Sequence, residues 1–142
     1  MRSAIVTGLA VVGVMALGAV GEAGQAKPAT PAKPAAAAKA MKNPVAADAA
    51  SVDAGKAVFA KYCRACHGAE GKGDGPGAAM MKGVKPANLT DAKWDHGATD
   101  GEIFTTIHDG VGPKFDMDSW EGRIQDKDIW NIVNYIKTLK AK

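Results

Sequence analysis

The sequence predicts an all-α domain, and three observations predict it. No stretch alternates apolar and polar residues with the period of two that a half-buried strand requires. Residues 126–139, DKDIWNIVNYIKTL, instead repeat apolar side chains at intervals of three and four, at Ile129, Ile132, Val133, Ile136 and Leu139. Thr99-Asp100-Gly101-Glu102 has the form of a capping box, in which a hydroxyl and a glutamate satisfy the free N–H groups of a helix start.

The first helix is expected over residues 51–62, SVDAGKAVFAKY, with Ser51 as N-cap and Asp53 in the first turn. Gly55, Val58, Phe59 and Tyr62 share one face. A glycine inside a helix costs about 0.5–1 kcal/mol relative to alanine, so Gly55 points to the close approach of another helix. Residues 68–86 carry Gly71, Gly73, Gly75, Gly77, Gly83, Pro76 and Pro86 and read as loop, with one short turn near residues 78–82. The loop has no phosphate-binding fingerprint, because no strand precedes it and no G-K-[ST] follows. Its glycines suit backbone lying close to a flat object. After the capping box, Ile103, Phe104 and Ile107 form an apolar face and Gly110 ends the helix. The last helix, 126–139, starts with acidic residues, and Lys137, Lys140 and Lys142 lie at or beyond its end, as the helix dipole favours.

All three Phe, all three Trp and both Tyr lie in residues 51–142, which form the expected domain. Residues 1–23 read as an export signal: Arg2, an uncharged run from Ala4 to Val20, then Gly21-Glu22-Ala23 as a cleavage site. The segment is expected to be cleaved, with a retained membrane anchor as the other outcome, and either places the domain in the periplasm or otherwise outside the cytoplasm. Residues 24–50 are rich in Ala, Pro and Lys, lack aromatics and show no apolar period, so they are expected to be a disordered linker. The chain's net charge of +3 originates there, since residues 51–142 hold thirteen basic and thirteen acidic side chains. No nucleic-acid partner is expected on that balance.

Both cysteines lie in YCRACHG, at Cys63 and Cys66, with His67 directly behind them. A thioredoxin-like disulfide pair would sit beside a βαβ pattern, and no strands are expected. A structural zinc wants four ligands, so His96 and His108 would have to join the cysteines, leaving His67 unexplained. Covalent haem accounts for every residue: two thiols one helical turn apart bond one porphyrin edge, and the next imidazole reaches the iron. A porphyrin disc also enlarges the core of a domain too small to assemble a generous one alone.

With these residues in place, the chain resembles a class I c-type cytochrome. The resemblance covers residues 51–142 and rests on GKAVFAKYCRACHGAEGKGDGPGAA, KPANLTD, GVGPKFDMDSW and DIWNIVNYIKTL. It implies a small helical bundle around one covalently attached haem c, with Gly55 and Phe59 packed on the last helix near Trp130, Val133 and Tyr135. It implies His67 as the proximal iron ligand, with backbone near Pro76 holding the other ring nitrogen. Met117 fits the second axial position, although Asp118 stands where the family expects proline and Gln125 where a capping residue is commoner. Met80 and Met81 read as filler of the glycine loop, and His96 and His108 as surface residues. The implied function is a single-haem electron carrier between a donor and an acceptor redox protein, not itself an enzyme. Two other roles stay open: a haem subunit of a larger dehydrogenase or oxidase complex, or, with Met117 off the iron, an open-site sensor or peroxidase. Residues 95–128 hold nine acidic and three basic side chains around the Met117 segment, which favours a basic docking partner.

Overall fold

The computed structural model describes residues 35–81, 83–91, 93–112 and 116–139. The expected signal segment, 1–23, lies outside the described residues. Among the described residues five α-helices follow in order: α1 (Ala35–Ala40), α2 (Ala49–Tyr62), α3 (Arg64–His67), α4 (Asp100–Asp109) and α5 (Asp126–Leu139), with a 3-10 turn at Pro76–Met80 between α3 and α4. Among the described residues there is no strand, only an isolated antiparallel bridge between Val111 and Met117. None of the described helices is long and apolar enough to cross a membrane.

The core forms where α2 and α4 pack on α5. Phe59, Ile129, Ile132 and Val133 are fully buried at its centre. Gly55 sets the α2–α5 crossing: a Cβ at this position would lie 2.0 Å from the Asn131 carbonyl oxygen, so only glycine admits the approach. One turn on, the Phe59 ring meets Tyr135 edge-on at 5.3 Å between centroids. Phe104 of α4 stacks on Trp130 at 4.1 Å.

Two expectations at the front of the domain are corrected. The segment expected to be disordered through residue 50 is ordered from Ala35 onward. Helix α1 lies on α4, where Gly101 leaves room for it; a Cβ there would sit 2.1 Å from the Ala38 carbonyl oxygen. Met41 and Val45 then pack on the core, and Asn43 donates to Asn134 Oδ1 at 2.8 Å. Asn134 in turn donates to the carbonyls of Val45 (3.3 Å) and Ala46 (3.2 Å). The strap is held by polar side chains on α5, a signal that apolar periodicity cannot carry. The helix start also moves. Asp48 is the N-cap of α2 and accepts from Ser51 N at 2.8 Å. Ser51 faces inward and donates to Asn131 Oδ1 at 2.7 Å while accepting from Asn134 Nδ2 at 2.8 Å.

These bonds explain why eight consecutive residues of α5, from Ile129 to Ile136, are buried. The helix is covered by α2, α4 and the strap, and its two asparagines are satisfied inside the core.

Candidate haem-attachment site

The motif spans the break between α2 and α3, with Cys63 at the break and Cys66 and His67 in α3. Cys63 caps α2, donating its N–H to Phe59 O at 2.8 Å, and its own carbonyl accepts from Cys66 N (3.2 Å) and His67 N (3.0 Å). Both cysteines are free and half-buried on that turn. Burial, with the neighbouring Cys66 as a smaller cause, pushes the Cys63 thiol up to about 12. An exchanging dithiol needs the opposite, a depressed value that supplies thiolate, so the local electrostatics argue against a redox disulfide pair. Nor do three His, Cys, Asp or Glu side chains converge as a metal-binding group among the described residues. His96 is exposed on its loop and His108 turns toward carboxylates.

His67 Nδ1 lies 3.1 Å from the Ala87 carbonyl. A carbonyl can only accept, so Nδ1 carries the proton and Nε2 presents its lone pair. Burial lowers the pKa of His67 against the opposing effect of the Ala87 bond, which favours the neutral imidazole that metals bind. The acceptor corrects the expectation that backbone near Pro76 would hold this nitrogen. Gly73 N donates to His67 O (2.8 Å) and Gly75 N to Cys66 O (3.1 Å), folding the loop back on α3. There Gly75 lies against backbone, since a Cβ would meet Ala65 O at 2.4 Å. Pro76 therefore starts the turn that follows, while Leu89 N, donating to Gly71 O at 2.7 Å, draws residues 86–89 across to the imidazole. The glycines thus serve close approach between backbone segments. Met80, read as filler, is 83% exposed.

Met117 sits on the segment between α4 and α5 and is half-buried against the same apolar cluster as Cys63 and Trp94. Its backbone pairs with Val111, at 2.9 Å and 3.4 Å. The segment is anchored without the expected proline. Trp120 N donates to Ile107 O (3.2 Å) and His108 O (3.1 Å), Glu121 N to His108 O (3.0 Å), and Ile124 N to Trp120 O (3.1 Å). Asp118 faces Arg123 at 3.9 Å. Trp120 also meets Tyr62, the neighbour of Cys63, at 5.5 Å between ring centroids, which links the motif turn to the Met117 segment.

The residues present fit a haem c: two free thiols on one turn, an oriented neutral imidazole, and a half-buried thioether on a pinned segment. The contribution of the Ala87 carbonyl was invisible in sequence, because a backbone acceptor leaves no residue-type signature.

Comparison with known proteins agrees. Residues 50–136 match the family described as cytochrome C oxidase, cbb3-type, subunit III. Cbb3-type cytochrome c oxidase subunit CcoP of Cereibacter sphaeroides is 36% identical over 95 residues, 65% of this chain and 29% of that protein. CcoP of Azospirillum sp. (strain B510) is 33% identical over 97 residues, 68% of this chain and 31% of that protein. The chain thus spans less than a third of the length of these relatives. Among solved structures, a chain of the reducing HAO-like protein complex of Kuenenia stuttgartiensis superposes with a TM-score of 0.63 at 26% identity, covering 71% of this chain and 50% of that one. Cytochrome cL of Methylophaga aminisulfidivorans superposes at 0.53 with 22% identity, over 66% and 55% of the two chains, a likeness of fold.

Proposed function

The chain belongs to the cbb3-type cytochrome c oxidase subunit III family, and from that membership we propose that it is an electron-relay subunit of a larger redox complex. It is a c-type cytochrome with covalently bound haem c. Bound there, the haem supplies one-electron exchange. Cys63 and Cys66 would provide the two thioether sulfurs, and His67 Nε2 and Met117 Sδ would be the donors offered to the iron. The observation that carries the reading is the bond between His67 Nδ1 and the Ala87 carbonyl, which fixes the tautomer and aims Nε2 away from the protein's own acceptor. A Met117 thioether together with the His67 imidazole would raise the potential and leave no donor position free, which suits relay and not catalysis. The subunit role, in preference to a free carrier, is supported by CcoP relatives named as oxidase subunits and by a structural neighbour drawn from a complex. The N-terminal residues 1–23 would deliver the domain outside the cytoplasm, and, if retained as an anchor, would be joined to the α1 strap through residues 24–34.

Purification from membranes under mild detergent tests the role. The expected result is haem-stained chain migrating with a larger oxidase or dehydrogenase. Recovery of the chain alone, fully soluble and active as an electron donor, would establish the free carrier. The ferric spectrum tests the ligands: the weak long-wavelength band that the family resemblance attaches to methionine ligation should appear in the natural protein and vanish in Met117→Ala. Its absence from the natural protein would indicate an open site.

A further inference from the structure

The carbonyl of His108, in the last turn of α4, accepts three hydrogen bonds from the residues just after Met117: Ser119 Oγ at 2.7 Å, Trp120 N at 3.1 Å and Glu121 N at 3.0 Å. Gly110 seals the same neck, since a Cβ there would lie 2.7 Å from both the Met117 carbonyl oxygen and Ser119 N. Where the end of α4 stands therefore decides where Met117 stands.

The imidazole of His108 lies between carboxylates of two different helices. Nδ1 is 2.5 Å from Asp109 Oδ1 on α4, and Nε2 is 3.8 Å from Asp126 Oδ1, the first residue of α5. The ring stacks on Phe104 at 5.4 Å, and Phe104 stacks on Trp130 of α5. On the connecting segment, Glu121 is joined to His108 through its backbone N–H, and Asp118 faces Arg123. Asp95 and His96 share a groove of about 450 Å³ with Asp109, beside α1. Lys39 of α1 acts on Glu102.

Asp109 accepts from Nδ1, so a neutral His108 turns the lone pair of Nε2 toward the Asp126 carboxylate, which is repulsive. One proton from solvent reverses this contact. The imidazolium then donates from both nitrogens and ties the end of α4 to the start of α5, the two ends of the segment that bears Met117. A cation at a helix C-terminus is also favoured by the dipole.

We propose that His108 is a positioning residue for Met117, and that its protonation tightens the stretch from Met117 to Glu121 against the end of α4 and raises the reduction potential. The proposal rests on the reading of Met117 as an axial ligand. The test follows the midpoint potential and the long-wavelength band of the haem-loaded full chain over about pH 5–8, where histidines change charge, together with the NMR titration of His108 and of the amides of residues 119–121. We expect the potential to fall as pH rises. In His108→Gln the potential and those amides should lose the dependence, and in Asp126→Asn it should move to lower pH. A dependence unchanged in His108→Gln, or a flat natural protein, would overturn the proposal. If the band is absent at every pH, the Met117 reading fails. The amides of residues 119–121 then decide the mechanical coupling: titration with His108 supports it, and unmoved amides refute it.

Discussion

At Gly55 a single hydrogen atom decides how closely two helices meet. A methyl group there would sit 2.0 Å from the backbone oxygen of Asn131, which no rotamer change can relieve. Gly55→Ala should therefore push α2 away from α5 and cost about 1–3 kcal/mol, the usual range for overpacking. The measurement is the denaturant midpoint of the haem-loaded protein, and an unchanged midpoint would show that the helices part freely. The same crossing positions Phe59, whose ring lies 6.5 Å from His67, so loosening it should also be felt at the iron ligand.

Among the elements, the strap before α2 bears on stability most directly. Asn43→Ala would leave Asn134 Oδ1 without its 2.8 Å donor, and a buried acceptor left unsatisfied costs about 1–3 kcal/mol. A chain shortened to begin at Ala49 should lose more, because Met41, Val45 and the Ala46 carbonyl go with it. Cooperative unfolding with the same midpoint would return the strap to the status of a loose tail. The capping box of α4 also makes stability depend on pH. Glu102 accepts from the Thr99 backbone N–H and hydroxyl, which hold its carboxyl below the ordinary carboxylate range. Its folded value is depressed, so the stabilisation is present above the unfolded value of about 4.3 and is lost as pH falls through the folded value. Glu102→Gln should accordingly reduce the slope of stability against pH in the acid range, with little change in that slope near neutrality.

Over the whole molecule, the acidic stretch around Met117 is less of a steering field than its count of carboxylates suggests. Asp100 pairs with Lys137, and Asp118 lies 3.9 Å from Arg123. Asp126 and Asp128 sit in the first turn of α5, where they favour the dipole. Electron transfer to a cationic small reagent should still slow as salt rises, but with a shallow slope, while an anionic reagent shows no such slowing. Stopped-flow rates across ionic strength give the comparison. The opposite pattern would put electron exit on the face bearing Lys61 and Arg64, both exposed beside the motif.

Local spacing was enough to read α2, α4 and α5, the Thr99 capping box and the C-x-x-C-H turn, because each is specified by residues within a turn or two of one another. Gly55 was legible for the same reason: a poor helix residue on an apolar face signals a close neighbour. Where the chain meets itself at long range, the residues gave no advance sign. The strap at 35–48 has no apolar period of its own, and it is ordered by Asn134 and Gly101, some 60–90 residues away. Ser51 reads as a cap in sequence, but Asn131 and Asn134 draw it into the core and leave the capping to Asp48. Ala87 orients His67 through a carbonyl that every residue type possesses. Likewise His108 reads as a surface residue, until the fold sets its ring between Asp109 and Asp126 and its carbonyl under the Met117 segment. Periodicity and short motifs record what a residue does for its own helix; which distant backbone or carboxylate it meets is decided only when the helices pack.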